Sequence, residues 1–205
     1  MDSSTTPVGT LYGPGSRDLQ EQFDSRRIAD RLAELTVHDA LDAGDLDLIA
    51  DQSTVWVATT DIDGWPDVSY KGGERGFVRV VSPHQLQIPF YNGNGMWRTL
   101  GNIEDTGRVA LLFVDNDRPW RMRLHGHGTV LTDPAITGDF LGAEAVLAVQ
   151  IARIFPNCGR YIHQGDSISP YVPRPGVTAP IPDWKRIQVF SDVLPANDPA
   201  RTENL

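Results

Sequence analysis

The stretch YNGNGMWRTLGNI, residues 91–103, stands between a β-rich run and a helical one. Asn and Gly readily take left-handed backbone conformations, and such turns aim successive N–H groups at one point. A helix starting near Gly95 adds its own unpaired N–H groups and the positive end of its dipole. Arg98 follows with a forked, permanently charged donor, and Thr99 with a hydroxyl. With Asn94 these residues can hold an anion, and phosphate suits them best. Lys71 ends the run DVSYK just before Gly72-Gly73, so it is a second cation at a strand end. The same residues also suit a plain strand-to-helix turn and a solvated strand end.

The surrounding elements must position these groups. Residues 1–15 are rich in Ser, Thr, Pro and Gly and read as a loose arm. Residues 16–36 repeat Leu19, Phe23, Ile28, Leu32 and Leu35 at near-helical spacing, with Ser16 as a cap. Residues 36–52 read as a shorter helix capped by Thr36, with Asp39 in its first turn. Six strands follow: 53–61, 67–71, 77–82, 85–91, 108–115 and 120–131. Asp63-Gly64 is a hairpin turn signal, and Pro83 breaks the third strand from the fourth. Short connections between so many strands predict a closed or nearly closed antiparallel barrel. Residues 133–145 begin like a capped helix. Residues 146–156 are ambiguous, because Ala and Leu favour helix while Val, Ile and Phe favour strand. Seven prolines between Pro170 and Pro199 predict an extended tail. The organisation expected is an arm with a helical extension over 1–52 and a barrel domain with its tail over 53–205.

Composition narrows the function. At 205 residues the chain is long enough for a real core, and 22% charged residues are ordinary for a globular protein. A net charge of −9 argues against nucleic acid as the main partner, since phosphate-backbone binding needs a basic face. Cys158 is the only cysteine, so no internal disulfide forms. The first residues lack a basic and an apolar region of a signal peptide, and the longest apolar run, VALLFV, is too short to span a bilayer. The expected location is cytoplasmic.

Other residues invite chemistry less strongly. His125 and His127 lie two apart on one strand and share a face, but no third metal ligand is close in sequence. Cys158 sits in a turn without a defined activating partner. Ser69 belongs to no triad pattern. Trp56 is expected in the core, while Trp97 and Trp184 could cover a ligand or line a subunit seam.

Taken together, ATTDIDGWPDVSYKGGERGFVRV (58–80), QLQIPFYNGNGMWRTLGNI (85–103), VALLFVD (109–115) and RLHGHGTV (123–130) resemble the FMN-binding split-barrel proteins related to pyridoxamine 5′-phosphate oxidase. The likeness runs over roughly 55–160. The leading helices and FPNCGRYIHQ (155–164) resemble the branch with an N-terminal helical extension. The resemblance implies a mainly β, α+β fold: a six-stranded antiparallel split β-barrel with flanking helices. It implies a homodimer with FMN at the subunit interface, and hydride transfer between the flavin and a small organic molecule. By position it places Ser69, Tyr70 and Lys71 on the strand contacting the flavin and its phosphate. It places Pro89, Phe90 and Tyr91 beside the ring, and Asn94, Arg98 and Thr99 at the phosphate. Arg121 falls near the isoalloxazine, and Asn102 supports the loop. The basic, His-containing substrate motif of such oxidases has no counterpart here, since GRYIHQ carries Arg160 and His163 in another context. The likeness therefore reaches cofactor and fold, not vitamin B6 as substrate. Two other readings remain open. One is a flavin- or haem-binding split barrel without catalysis, with His163 as axial ligand. The other is a reductase using the deazaflavin F420.

Overall fold

The computed structural model describes residues 11–115, 118, 120–163, 170, 175, 178 and 180–202. Among the described residues seven strands, not six, form one antiparallel sheet: β1 Thr54–Thr60, β2 Pro66–Gly72, β3 Arg79–Ser82, β4 Gln85–Tyr91, β5 Arg108–Val114, β6 Arg121–Leu131 and β7 Ala143–Asn157. The added strand is the ambiguous segment. All five residues from Ala145 to Val149 are buried, so β7 shows none of the alternation that marks a half-exposed strand. The capped helix expected over 133–145 shrinks to α5, Pro134–Thr137, whose Asp133 cap accepts from the Ala135 N–H at 2.9 Å.

The strands lie in the order β2-β1-β5-β6-β7-β4-β3. Inward residues of five of them share one core: Val55 and Val57, Leu86 and Ile88, Leu111 and Phe113, Met122 and Leu124, Leu147 and Val149. β1 is second in the order and β4 sixth, so the sheet must curl to bring both into one cluster. Strand twist makes such curling the natural outcome for a large antiparallel sheet. Trp56, expected in that core, instead points outward with 42% of its surface exposed.

Of the described residues, those from His38 to Gly159 form one compact unit, and those up to Val37, together with those from Arg160 onward, form another. In the first unit α3, Ala43–Asp51, begins with a capping box. Asp42 Oδ1 accepts from the Asp45 N–H at 2.9 Å, and Asp45 Oδ2 accepts from the Asp42 N–H at 3.1 Å. Thr36 does not cap this helix, and Asp39 lies outside it. His38 intervenes as a β-bridge to Ile154 on β7, which ends helical backbone before α3. Asp42→Ala removes one half of the box and should lower unfolding free energy by about 1 kcal/mol. The check is a shifted denaturation midpoint with an unchanged slope.

In the other unit the expected single helix over 16–36 is two: α1 Pro14–Gln22 and α2 Arg26–Thr36. Asp24, with φ of 48°, breaks it. Gly13 and Pro14 start α1, and Ser16 lies within it. Thr36 closes α2, its hydroxyl donating to the Leu32 carbonyl at 2.7 Å. Ile28 and Leu32 of α2 pack with Phe190, Val193, Leu194 and Ala200. The described end of the tail is thus not extended. It forms 3₁₀ turns at Asp183–Arg186 and Gln188–Phe190, then α6 at Pro199–Thr202. Residues 171–174, 176, 177 and 179, where an extended course was also expected, lie outside the described residues. Among the described residues no helix is long and apolar enough to cross a membrane.

Candidate functional site

Curling of the sheet brings β2, its first strand, against β4, its sixth. Between them, and closed by residues 93–100, lies a cleft of about 320 Å³. Ser69, Lys71, Phe90, Tyr91, Asn94, Arg98 and Thr99 all line it. These seven were singled out from separate stretches of sequence, and the fold brings them to one place.

Each is held there for a local reason. On β2, residues 67, 69 and 71 share a face by the period of two, which turns Asp67, Ser69 and Lys71 to the cleft. Lys71 Nζ lies 4.5 Å from the centre of the buried Phe90 ring. Burial lowers the Lys71 pKa from its ordinary 10.5, and the nearby Asp67 charge opposes that shift. On β4 the pairing with β7 shifts register between Phe90 and Tyr91. Such a bulge re-aims side chains, and here two consecutive residues line the cleft.

The loop turns through left-handed backbone at Gly95, with φ of 75°, and at Trp97, with φ of 51°. Glycine adopts that conformation without strain, whereas an indole side chain does so at a cost of order 1–3 kcal/mol. Asn94 Oδ1 accepts from the Met96 N–H at 3.0 Å and tightens the turn. Then α4 begins at Arg98 and runs to Thr106, with no side chain capping its first turn. Its N-terminal N–H groups therefore remain for an anion or for water.

The opposite face of α4 is fixed to the sheet. Buried Asn102 donates to Thr59 Oγ1 on β1 at 2.9 Å, and Thr106 Oγ1 to the Thr60 carbonyl at 3.1 Å. At Gly128 on β6 a Cβ would sit 2.8 Å from Ile103 Cγ2, so glycine allows the helix to approach. Asn102, expected to support the loop, thus ties the helix to β1.

Arg98 is engaged on its sheet side. Its Nη2 donates to Asp61 Oδ2 at 3.1 Å, and its Nε lies 3.6 Å from Asp67 Oδ1. Asp61 also caps the β1–β2 hairpin, its Oδ1 accepting from the N–H groups of Trp65 at 2.8 Å and Asp63 at 3.1 Å. These hydrogen bonds, the Trp65 N–H first and Arg98 next, hold the Asp61 carboxyl below its ordinary value of 3.8. A lowered carboxyl pKa stabilises the fold above the ordinary value, and that contribution fades as pH falls through the lowered one. Wild type and Asp61→Asn should therefore differ in melting temperature at neutral pH and converge in acid. A constant gap across that range would contradict the assignment.

Three expected residues fall elsewhere. Tyr70 points to the other face of β2, where its ring meets Trp56 edge-on at 5.3 Å. Pro89 is buried in β4 and is not in the cleft lining. Arg121 opens β6, opposite Val114 and Asn157. β4 meets the other end of β7, where Tyr91 pairs with Ala143, so a strand's length separates Arg121 from the cleft within one chain. Its Nε is buried without a hydrogen-bond partner. Conversely, Asp61, Asp67, Met96 and Leu100 were missed. Period-two alternation from Ser69 and Lys71 points to Asp67.

Trp97, the candidate cover for a ligand, lines the cleft as well, and the remaining candidates sit outside it. His125 packs edge-on against Phe155 at 5.1 Å; burial first, then Arg153 and Arg123, lower its pKa from 6.5. Among the described residues the group able to reach one metal ion is His38, Asp42 and Asp45, without His125 or His127. Those carboxylates already serve the cap of α3. Cys158 and His163 are exposed, and Trp184 packs edge-on against Phe190.

Compared with known protein families, residues 44–158 match the family described as Pyridoxamine 5'-phosphate oxidase. No curated protein matches the chain. Among solved structures, HupZ from Group A Streptococcus is 27% identical, with a TM-score of 0.47 over 57% of this chain and 98% of its own. A pyridoxamine 5'-phosphate oxidase candidate from Lactobacillus delbrueckii is 23% identical, with a TM-score of 0.48 over 59% and 99%. HutZ from Vibrio cholerae, described as a heme storage protein, is 14% identical, with a TM-score of 0.43 over 58% and 97%.

Proposed function

The chain belongs to the pyridoxamine 5′-phosphate oxidase family, and from that premise we propose that it is an FMN-dependent oxidoreductase acting on a small organic molecule. The observation that carries the reading is the meeting of Lys71 and Arg98 in one cleft beside the uncapped start of α4. Two cations and free helix N–H groups are the donor set a phosphate needs. Lys71, Arg98, Thr99 and the Asn94 turn would hold the phosphate of FMN. Ser69, Phe90 and Tyr91 would lie along the rest of the molecule. When bound, FMN supplies the hydride chemistry, and the protein contributes binding, orientation and exclusion of water.

A homodimer belongs to this reading. Trp56, Val68 and Tyr70 are exposed large side chains on the outward face of β1 and β2, the kind of patch that a subunit seam covers. The separation of Arg121 from the cleft points the same way, since a second copy is what would bring that cation to a flavin. Tyr70 would then serve at the seam and not at the ring. A cytoplasmic location fits an enzyme with one exposed thiol and no disulfide.

The test is an absorbance spectrum of the purified protein and mass spectrometry of whatever heat releases. Flavin absorption with released FMN near one per chain is expected. A Soret band, or the single band of a deazaflavin, would replace FMN by haem or F420. A colourless protein that takes up no added FMN would overturn the cofactor reading. With FMN bound, oxidation of NADH or NADPH separates an enzyme from a carrier.

A further inference from the structure

The outward face of β6 carries positive charge that the sheet around it does not balance. Arg121, Arg123 and His125 share that face by the period of two, the two arginines about 7 Å apart along the strand. Register puts Val114 and Leu112 beside the arginines on β5, and Asn157 and Phe155 on β7. None of these is an acid, although the chain carries 27 Asp and Glu against 18 Lys and Arg. Arginines elsewhere, such as Arg17, Arg79 and Arg118, stand in ion pairs. Among the described residues Arg121 and Arg123 stand in none. Arg121 Nε is buried without an acceptor, and Arg123 donates one N–H to the neutral Asn157 amide at 2.9 Å. A buried donor left unmade costs stability, so the gap suits an acceptor from outside the chain. Arg153 on β7, opposite His125, adds its charge. The positive field reaches His125, whose pKa is lowered by burial first, then by Arg153 and Arg123.

One register row leads away from Arg123 over apolar side chains: Leu112 on β5, Trp56 on β1 and Tyr70 on β2. Trp56 and Tyr70 are exposed and meet edge-on. Neighbouring strands lie about 4.8 Å apart, so Trp56 starts about 10 Å from Arg123, roughly the reach of a one-ring acid. A guanidinium fork matches a carboxylate through two parallel N–H bonds. We propose that this face binds an aromatic carboxylate, its acid group on Arg123 beside Arg121 and its ring over Leu112 towards Trp56. A polyanion suits the face less, since the basic cluster is short and the net charge of −9 repels it. The site needs neither FMN nor the cleft at α4. Under the reading above, the bound carboxylate is the small organic molecule that meets the flavin, and that last step alone rests on it.

Calorimetric titration of the intact chain with benzoate and with benzyl alcohol, its uncharged counterpart, tests the assignment. Wild type should bind benzoate about tenfold tighter or more, the size of one charge-assisted bond. Arg123→Met keeps an apolar stem and loses the fork. Its benzoate affinity should fall about tenfold, with benzyl alcohol within about twofold of wild type. Arg123 is exposed, so an unchanged unfolding midpoint should show that the variant is folded. The His125 imidazole, assigned by NMR with His125→Gln, gives a second signal. Benzoate should raise its pKa in wild type, because the bound charge offsets Arg123 and Arg153, and Arg123→Met should raise it without ligand. The Lys71→Ala, Arg98→Ala double variant should bind benzoate as wild type does. Three results would each overturn the inference: no benzoate binding, equal affinity for the alcohol, or unchanged benzoate affinity in Arg123→Met. Loss of benzoate binding in the double variant would move the anion to the cleft and overturn it too. FMN uptake by the same preparations separates the two readings. Benzoate binding without uptake keeps this site and removes the cofactor, and uptake without benzoate binding does the reverse.

Discussion

Alanine at both Lys71 and Arg98 should weaken FMN binding by more than about 2 kcal/mol, roughly thirtyfold in Kd, because each substitution would remove a charge-assisted contact of the proposed phosphate site. Neither side chain is deeply buried, and partial burial already lowers the Lys71 pKa. The loss should therefore appear in a flavin titration and leave the unfolding midpoint nearly unchanged. Without Arg98, Asp61 and Asp67 lose an ion-pair partner, so phosphate meets added repulsion. The two single variants should not sum to the double, since both cations neutralise one group. An unchanged Kd in the double variant removes the phosphate site from this cleft.

Phe113→Ala should act in the opposite sense. Phe113 is fully buried in the middle of β5, among the inward residues of the shared core. Removing its ring leaves a cavity in a close-packed interior and should cost about 3–5 kcal/mol. Denaturant unfolding measures this directly, with a lower midpoint expected. Flavin affinity of the folded fraction should stay near wild type, because β5 lends no residue to the cleft. A loss under about 1 kcal/mol would mean that the core closes over the gap, contrary to its packing. Together the two variants separate what holds the ligand from what holds the fold.

Much of this arrangement was legible in the sequence. The strands β1 to β6 stood out through β-branched residues, turn signals and alternation, and their observed ends shift by two residues at most. Lys71, Arg98, Thr99 and Asn94 could be singled out because each carries its chemistry in its type and its place at a strand end or helix start. The strand β7 was hidden because burial on both faces erases the period of two. The break at Asp24 was hidden because the pair Leu19 and Phe23 keeps helical spacing although both are exposed, 55% and 65%. Trp56 misled because an aromatic on a strand reads as core, whereas the outward face of β1 carries it beside Tyr70. The engagement of Arg98 by Asp61 was hidden for another reason. It joins a hairpin turn to a helix start 37 residues apart, and local pattern holds no information about such pairs.

The strand order sets a timetable for synthesis. Strand β4 pairs with β7 and short β3, and β7 follows only after α4, β5, β6 and α5 have been made. On a ribosome, Phe90, Tyr91 and the loop that turns into Arg98 would emerge well before their long partner strand. Until β7 arrives, one long edge of β4 has unpaired backbone groups, an invitation to other chains. Long-range pairing of this kind also folds slowly. Stalled or truncated chains that end before Ala143 should therefore aggregate, and the cleft should become able to take a ligand only as the final strand closes.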